Sequence, residues 1–402
     1  MKKKLVVFSG FFILFIAVLL SCSHRPEKGS FFSDGSADFN PADVSWFAVP
    51  RSPIVSSDDG LYYIMESYLY YADLKTYKSY PLCFKVGCSH ENENYRTDCD
   101  AYVGSDPKYP GGMMFLGAYK GKLYVSVENI SEKCLQLIEM EPDGSARKVV
   151  IDDMSSMDAD SLMFHRGYLY FTSNEQRKNG ESFQQIRRVS LDKISGTSEV
   201  LVEIRRSERH FYSFLPFLPL KDSLYYTEQN NDESIRVDLF RYDLTDKKEE
   251  CIAESELFWI YGGVGDHVIL RGAGNKHIEY SPETGAFTEI SGFNKMHQQH
   301  ETWYCQAGCI NEDFALLFVT EDAESENAYY DRNLKVIDWE GNMLCEIEQA
   351  ATLWTSPQIL TIQNEKYLVI CRPDLGEKRI LELYKVSDLL QGKAEPQRIQ
   401  RK

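Results

Sequence analysis

The sequence predicts an all-β fold, a β-propeller of seven four-stranded blades, with six or eight blades as the alternatives. Three observations predict it: a turn-strand unit that recurs along the chain, a hairpin that follows each copy, and a composition suited to pleated surfaces. The chain has 402 residues with 25 Tyr and 22 Phe, and 13% of it is aromatic. Aromatic enrichment of this kind favours half-buried strands.

The recurring unit is clearest at Arg166–Asn174, a tight turn feeding the strand Tyr-Leu-Tyr-Phe-Thr-Ser-Asn. Close copies stand at Asp59–Met65, Lys120–Asn129 and Lys221–Asn230. Aligning the second bulky residue of each copy gives Tyr62, Tyr124, Tyr170, Tyr225, Ile269, Leu316 and Leu368. Subtracting residue numbers gives gaps of 62, 46, 55, 44, 47 and 52. A sustained period of about 45–55 residues is the length of a four-stranded propeller blade.

Each unit is followed by a second hairpin. Leu135–Met140 turns at Pro142-Asp143-Gly144, Leu239–Asp243 at Leu244-Thr245-Asp246, His277–Tyr280 at Pro282–Gly285, and Leu334–Asp338 at Trp339-Glu340-Gly341. Asp, Gly and Pro between alternating runs are hairpin signals. An apolar stretch precedes several units, as in Met113–Tyr119, Ser161–His165, Phe214–Leu220 and Gln358–Ile362. Each period therefore offers four strands. Closing them into a ring protects sheet edges that a row of blades would expose. Val44–Val49 is a candidate strand for joining the first blade to the last, and Ser387–Leu390 is a candidate short helix.

Residues 1–21 read as a secretory signal. Lys2, Lys3 and Lys4 precede the apolar run Leu5–Leu20, and Leu19-Leu20-Ser21-Cys22 follows. A basic start, a short apolar core and small residues at the cleavage point define such a signal, and the run is short for a spanning helix. The tetrapeptide ending in Cys22 resembles the lipobox of bacterial lipoproteins. That resemblance implies that Cys22 is lipidated, that the chain is tied to the membrane through it, and that the protein lies extracytoplasmically in the cell envelope. Residues 22–43, rich in Ser, Gly, Asp and Pro, read as a flexible tether. Residues 44–402 then form one propeller domain.

The net charge is −17, and loss of Lys2, Lys3 and Lys4 with the signal takes it to −20. A nucleic-acid partner needs a basic footprint, so none is expected. The first gap exceeds the others, and the excess falls in an insertion at about residues 81–110. It holds Cys83, Cys88, His90 and Cys99. Three Cys and one His are a donor set for a structural zinc ion, although the Cys88-Ser-His90 interval is tighter than usual. The rival is a disulfide, which an exported protein permits and which leaves one cysteine over. In either case the role is structural, because a long polar loop needs a cross-link to be ordered. Pro-Leu-Cys83, Cys88-Ser-His90 and Cys99-Asp-Ala-Tyr102, placed after the first blade, resemble uncharacterised β-propeller lipoproteins of Firmicutes. The resemblance implies a propeller at the cell surface and transfers no catalytic residues.

Cys134, Cys251, Cys345 and Cys371 fall in apolar strand patterns and are expected in the core. Cys305 and Cys309 follow His297 and His300, as a loop carrying a disulfide or a metal site. No Gly-x-Ser-x-Gly elbow, phosphate loop or His-Glu-x-x-His motif occurs, so those chemistries have no support. Ser56–Gly60 superficially resembles the Asp-box of sialidase propellers and is read as a blade turn. Two functions follow. The first is a monomeric, non-enzymatic binding or scaffold module for a protein, peptide or glycan ligand, acting through loops or the central channel. The second is an extracytoplasmic glycan-active hydrolase or lyase using channel carboxylates.

Overall fold

In the computed structural model the described residues run from 54 to 401, apart from single positions and loop segments, the longest being 91–98, 104–114, 207–215, 296–303 and 321–331. The signal, Cys22, the tether and Val44–Val49 lie outside them. Among the described residues no helix is long and apolar enough to cross a membrane.

The strands form seven consecutive four-stranded units, a β-propeller. Blade 1 is β1 (Ile54–Ser56), β2 (Gly60–Met65), β3 (Tyr68–Asp73) and β4 (Lys78–Pro81). Blade 2 is β5 (Leu116–Tyr119), β6 (Lys122–Asn129), β7 (Cys134–Met140) and β8 (Lys148–Ile151). Blade 3 is β9 (Met157–His165), β10 (Tyr168–Gln176), β11 (Ser182–Ser190) and β12 (Glu199–Arg206). Blade 4 is β13 (Phe217–Leu220), β14 (Ser223–Asn230), β15 (Arg236–Asp243) and β16 (Glu249–Ala253). Blade 5 is β17 (Trp259–Val264), β18 (His267–Arg271), β19 (His277–Ser281) and β20 (Ala286–Glu289). Blade 6 is β21 (Tyr304–Ile310), β22 (Ala315–Thr320), β23 (Arg332–Ile337) and β24 (Met343–Ala351). Blade 7 is β25 (Gln358–Ile362), β26 (Glu365–Pro373), β27 (Arg379–Lys385) and β28 (Gln397–Arg401). The short helix α1 (Val386–Leu389) sits where the sequence suggests one.

Each of the aligned residues, from Tyr62 to Leu368, falls on the second strand of its blade. These strands are sandwiched between neighbouring blades, and β2 is buried at every position. Its side chains divide by parity. Tyr62 and Ile64 pack with Leu123 and Val125 of blade 2, whereas Leu61 and Tyr63 pack with Val369 and Leu381 of blade 7. The core is thus a set of slabs between blades. Phe164 of blade 3 illustrates the slab toward blade 2, stacking on Tyr119 at 5.2 Å and tilting against Tyr124 at 4.9 Å.

Two sets of turns join the blades. Four of the first-to-second-strand turns open on a left-handed residue, Lys120, Arg166, Lys221 or Gly265, and Arg166 and Gly167 adopt φ of 47° and 82°, as a two-residue hairpin requires. These turns link neighbours. Gly167 donates its N–H to the Tyr119 hydroxyl, Arg166 pairs with Asp222, and Lys221 pairs with Asp266 at 2.6 Å. The third-to-fourth-strand turns dock on the outer end of the preceding blade. Lys247 reaches Glu199 at 2.8 Å. Gly341 lies against Gly292, where an added Cβ would stand 2.1 Å from the Trp339 carbonyl oxygen. In blade 7, Gly392 approaches the Leu344 carbonyl in the same manner.

The ring closes on the blade 1 turn as well, here with the outer strands of blades 7 and 1 hydrogen-bonded into one eight-stranded sheet. Gln400 N–H donates to the Tyr77 carbonyl at 2.9 Å, and β28 pairs in parallel with β4 at Gln400–Lys78 and Arg401–Ser79. The innermost β1 lies against both β25 and β5. Among the described residues no strand is exchanged between blades, because each blade is one continuous run of chain.

Several cysteines sit differently from expectation. Cys251 is exposed, and Cys134 and Cys345 are only partly buried, because β16, β7 and β24 are more open to solvent than the inner strands. Cys305 and Cys309 both lie on the extended strand β21, paired with Val319 and Leu316. Four residues of strand separate their Cα atoms by roughly 10 Å or more, beyond the reach of a disulfide. His297 and His300 lie outside the described residues. Ser57 and Asp59 belong to the first turn of blade 1, where Ser57 N–H donates to the Gly60 carbonyl and Lys75 pairs with Asp59 at 3.1 Å.

Candidate metal centre

The insertion after β4 folds back in two arms. The first begins with Leu82, whose N–H donates to the Leu69 carbonyl at 2.8 Å. It then turns at Lys85-Val86-Gly87-Cys88, where Cys88 N–H donates to the Lys85 carbonyl at 3.3 Å. Gly87, at φ 78°, occupies the third position of that turn, which needs a positive φ and so favours glycine. The tip, Val86, is 92% exposed, so this arm is a knuckle over the surface with Cys83 and Cys88 facing inward against blade 1. His90 follows with a left-handed backbone, φ 54°, a conformation in which His is enriched among non-glycine residues.

The second arm returns at Cys99. Tyr102 N–H donates to the Cys99 carbonyl at 3.0 Å, which turns the chain. Leu69 N–H donates to the Ala101 carbonyl at 2.7 Å and Val103 N–H to the Ser67 carbonyl at 2.9 Å. Cys99 and Ala101 are buried in the slab between blades 7 and 1, and Tyr102 meets Tyr68 edge-on at 5.5 Å. Both arms are therefore anchored to the start of β3.

This folding brings all four sequence-identified residues together. One donor atom from each of Cys83, Cys88, His90 and Cys99 lies within 4.8 Å of every other, and Cys99 Sγ is 3.6 Å from His90 Nδ1. In a tetrahedral zinc site with bonds of about 2.0–2.3 Å the donors stand roughly 3.5–3.8 Å apart. The observed spacing needs only a small contraction to reach that. The cluster could hold a metal ion, and four protein donors would fill its coordination. A disulfide would engage two sulfurs and leave the third sulfur and the imidazole in place beside it.

Burial pushes the Cys99 thiol up to about 12; a backbone hydrogen bond from Ala101 opposes this, and Cys88 and Cys83 add to it. A thiol in that setting stays protonated near neutrality, whereas a divalent ion supplies the charge that deprotonates coordinating thiols outright. Residues of the surroundings that the sequence did not point to are Lys85, Asp100 and Arg147. Lys85 pairs with Asp100 at 3.7 Å. Arg147 comes from the β7–β8 turn of blade 2 and donates from Nη2 to the Asp100 backbone carbonyl. A lone Arg after a turn glycine carries no mark of a partner 47 positions upstream; only the propeller geometry brings the two together.

No protein-family model matches the sequence, and no curated protein matches it. Among solved structures the chain is similar to the β-propeller domain of the Trilobed protease from Pyrococcus furiosus, which has an open velcro topology. That match has 11% identity and a TM-score of 0.49, and covers 87% of this chain and 96% of the other. It is also similar to puromycin hydrolase, with 14% identity and a TM-score of 0.49, covering 90% of this chain and 55% of that one. A third similarity is to oligogalacturonate lyase in complex with manganese, with 11% identity and a TM-score of 0.47, covering 87% of this chain and 89% of that one. The propeller assignment itself rests on the seven four-stranded units and their order, five as separate sheets and two joined in the eight-stranded sheet of blades 1 and 7.

Proposed function

We propose that the protein is a cell-envelope lipoprotein, anchored extracytoplasmically through Cys22, whose propeller is a non-enzymatic binding scaffold for a protein, peptide or glycan. We further propose that Cys83, Cys88, His90 and Cys99 hold a structural zinc ion. The observation that supports a scaffold role is the composition of this cluster. Four protein donors leave no coordination position for water or substrate, the arrangement of structural and not catalytic zinc sites. A zinc there would brace a long loop on the blade 1 surface, and loops held on a rigid frame are where binding functions reside.

The test takes the full-length chain through three measurements. Cys22→Ser should abolish fatty-acid labelling and move the protein out of the membrane fraction; unchanged retention would overturn the anchor. Elemental analysis should find one zinc per chain, lost in Cys88→Ser. An oxidised Cys pair with no metal would overturn the zinc. A glycan panel should show binding without turnover. Turnover that disappears when channel carboxylates are replaced would instead establish the hydrolase or lyase.

A further inference from the structure

The four-donor cluster stands at a particular place in the ring. At other joints the third-to-fourth-strand turn of one blade docks on the outer strand of the blade before it, as Lys247 docks on Glu199 and Tyr77 on Gln400. Between blades 1 and 2 that contact falls on the cysteine loop. The turn at Pro142-Asp143-Gly144 packs on the residues that flank Cys83, and a Cβ at Gly144 would lie 3.0 Å from Leu82 and 3.1 Å from Phe84. Three residues on, Arg147 is held by its own turn, Nε donating to the Gly144 carbonyl at 3.1 Å. Its Nη2 donates to the backbone carbonyl of Asp100, the residue after Cys99.

The charges decide what Arg147 does there. A divalent ion bound by three thiolates and a neutral imidazole carries a net charge of −1. The Asp100 carboxylate is matched by Lys85, and Arg147 takes the Asp100 carbonyl, not its carboxylate. Partial burial lowers the Arg147 pKa, while Asp100, Cys83 and Cys99 act to raise it. We infer that Arg147 is the outer-sphere cation of the metal centre, so that the centre joins blade 1 to blade 2 by charge as well as by packing. Arg147 is a positioning residue for the site. Outer-sphere partners of this kind tune metal affinity by about 10–100-fold, and Arg147 is exposed as a residue, which places its effect at the lower end.

This inference rests on the zinc reading above, and the experiment separates the two. Zinc affinity of the full-length chain is measured by competition with a chromogenic chelator, at low and at high salt, for the wild type, Arg147→Gln and Arg147→Lys. Gln keeps a donor for the Asp100 carbonyl and loses the charge. Lys keeps the charge. The expected result at low salt is an affinity loss of about tenfold in the Gln variant and retention within about threefold in the Lys variant. The gap between wild type and Gln should narrow at high salt, where the Debye length shrinks to about 3 Å. A Gln variant equal to wild type, or a loss that is equal in both variants and indifferent to salt, overturns the inference and leaves the zinc site standing. A wild-type chain without zinc overturns both. Should the Gln variant fail to fold, the Lys variant decides, and a tenfold loss there overturns the charge role.

Discussion

Gly292→Ala tests the joint between blades 5 and 6. Gly292 follows β20, and the turn carrying Gly341 in blade 6 lies directly on it. A Cβ at Gly292 would stand 2.1 Å from the Trp339 carbonyl oxygen, 2.5 Å from the Gly341 nitrogen and 2.7 Å from the Trp339 carbonyl carbon. All three neighbours are backbone, so no side chain rotates out of the way and the two blades must separate by about 1 Å. Overpacking of this kind costs about 1–3 kcal/mol, and rigid neighbours favour the upper end. With a urea dependence of about 3 kcal/mol per molar, the unfolding midpoint should fall by roughly 1 M. Gly285→Ala is the control. Gly285 has φ +70° and nothing within 4 Å of its Cβ position, so only the left-handed backbone penalty of about 1–2 kcal/mol applies. Urea unfolding followed by circular dichroism should rank Gly292→Ala as the more damaging. Equal midpoints, or the reverse order, would refute the joint as described.

Two further outcomes are expected. Asp222→Ala removes the partner of Arg166, but both side chains are largely exposed, at 67% and 39%, so the change should cost less than about 1 kcal/mol in the same assay. Burial holds the Tyr62 and Tyr226 phenols far above the ordinary phenol range. The unfolded chain ionises near pH 10, so their contribution to stability is complete below that value and is lost progressively above it, as pH rises toward the raised folded value. Tyrosinate absorbance should therefore show a subset of the 25 tyrosines ionising only together with loss of the β-sheet signal. A single ordinary titration with the fold intact would contradict this.

The propeller was legible because its repeat is marked by turns. Strands buried on both faces, such as β2, lose the alternation that identifies an amphipathic strand, and Leu61–Met65 is apolar or aromatic throughout. Gly or Asp before each Leu-Tyr pair supplied the register that hydrophobicity alone does not. The four-donor cluster was legible for a different reason: its residues are close in sequence and chemically rare. What lay beyond reach was every relation across blades. The closure by β4 and β28 joins residues at opposite ends of the chain, and no local pattern encodes it. Arg147 and Asp100 meet only because blade 2 is stacked on blade 1. The exposure of Cys251 likewise depends on which strand ends at the rim.

The manner of closure has a consequence for how the ring tolerates rearrangement. Blade 7 meets blade 1 by hydrogen-bonded pairing of β28 with β4, and among the described residues no blade is completed by a strand from elsewhere in the chain. Connectivity is then largely incidental to the architecture. A gene rearranged to start at blade 4 and end at blade 3, with the old ends bridged, would offer the same interfaces in the same cyclic order. The segment between blades 5 and 6, which carries Gly292, and the segment between blades 1 and 2 are exceptions. There the connecting chain is itself part of the interface, and a break between Cys88 and Cys99 would divide the cluster between two ends of the molecule.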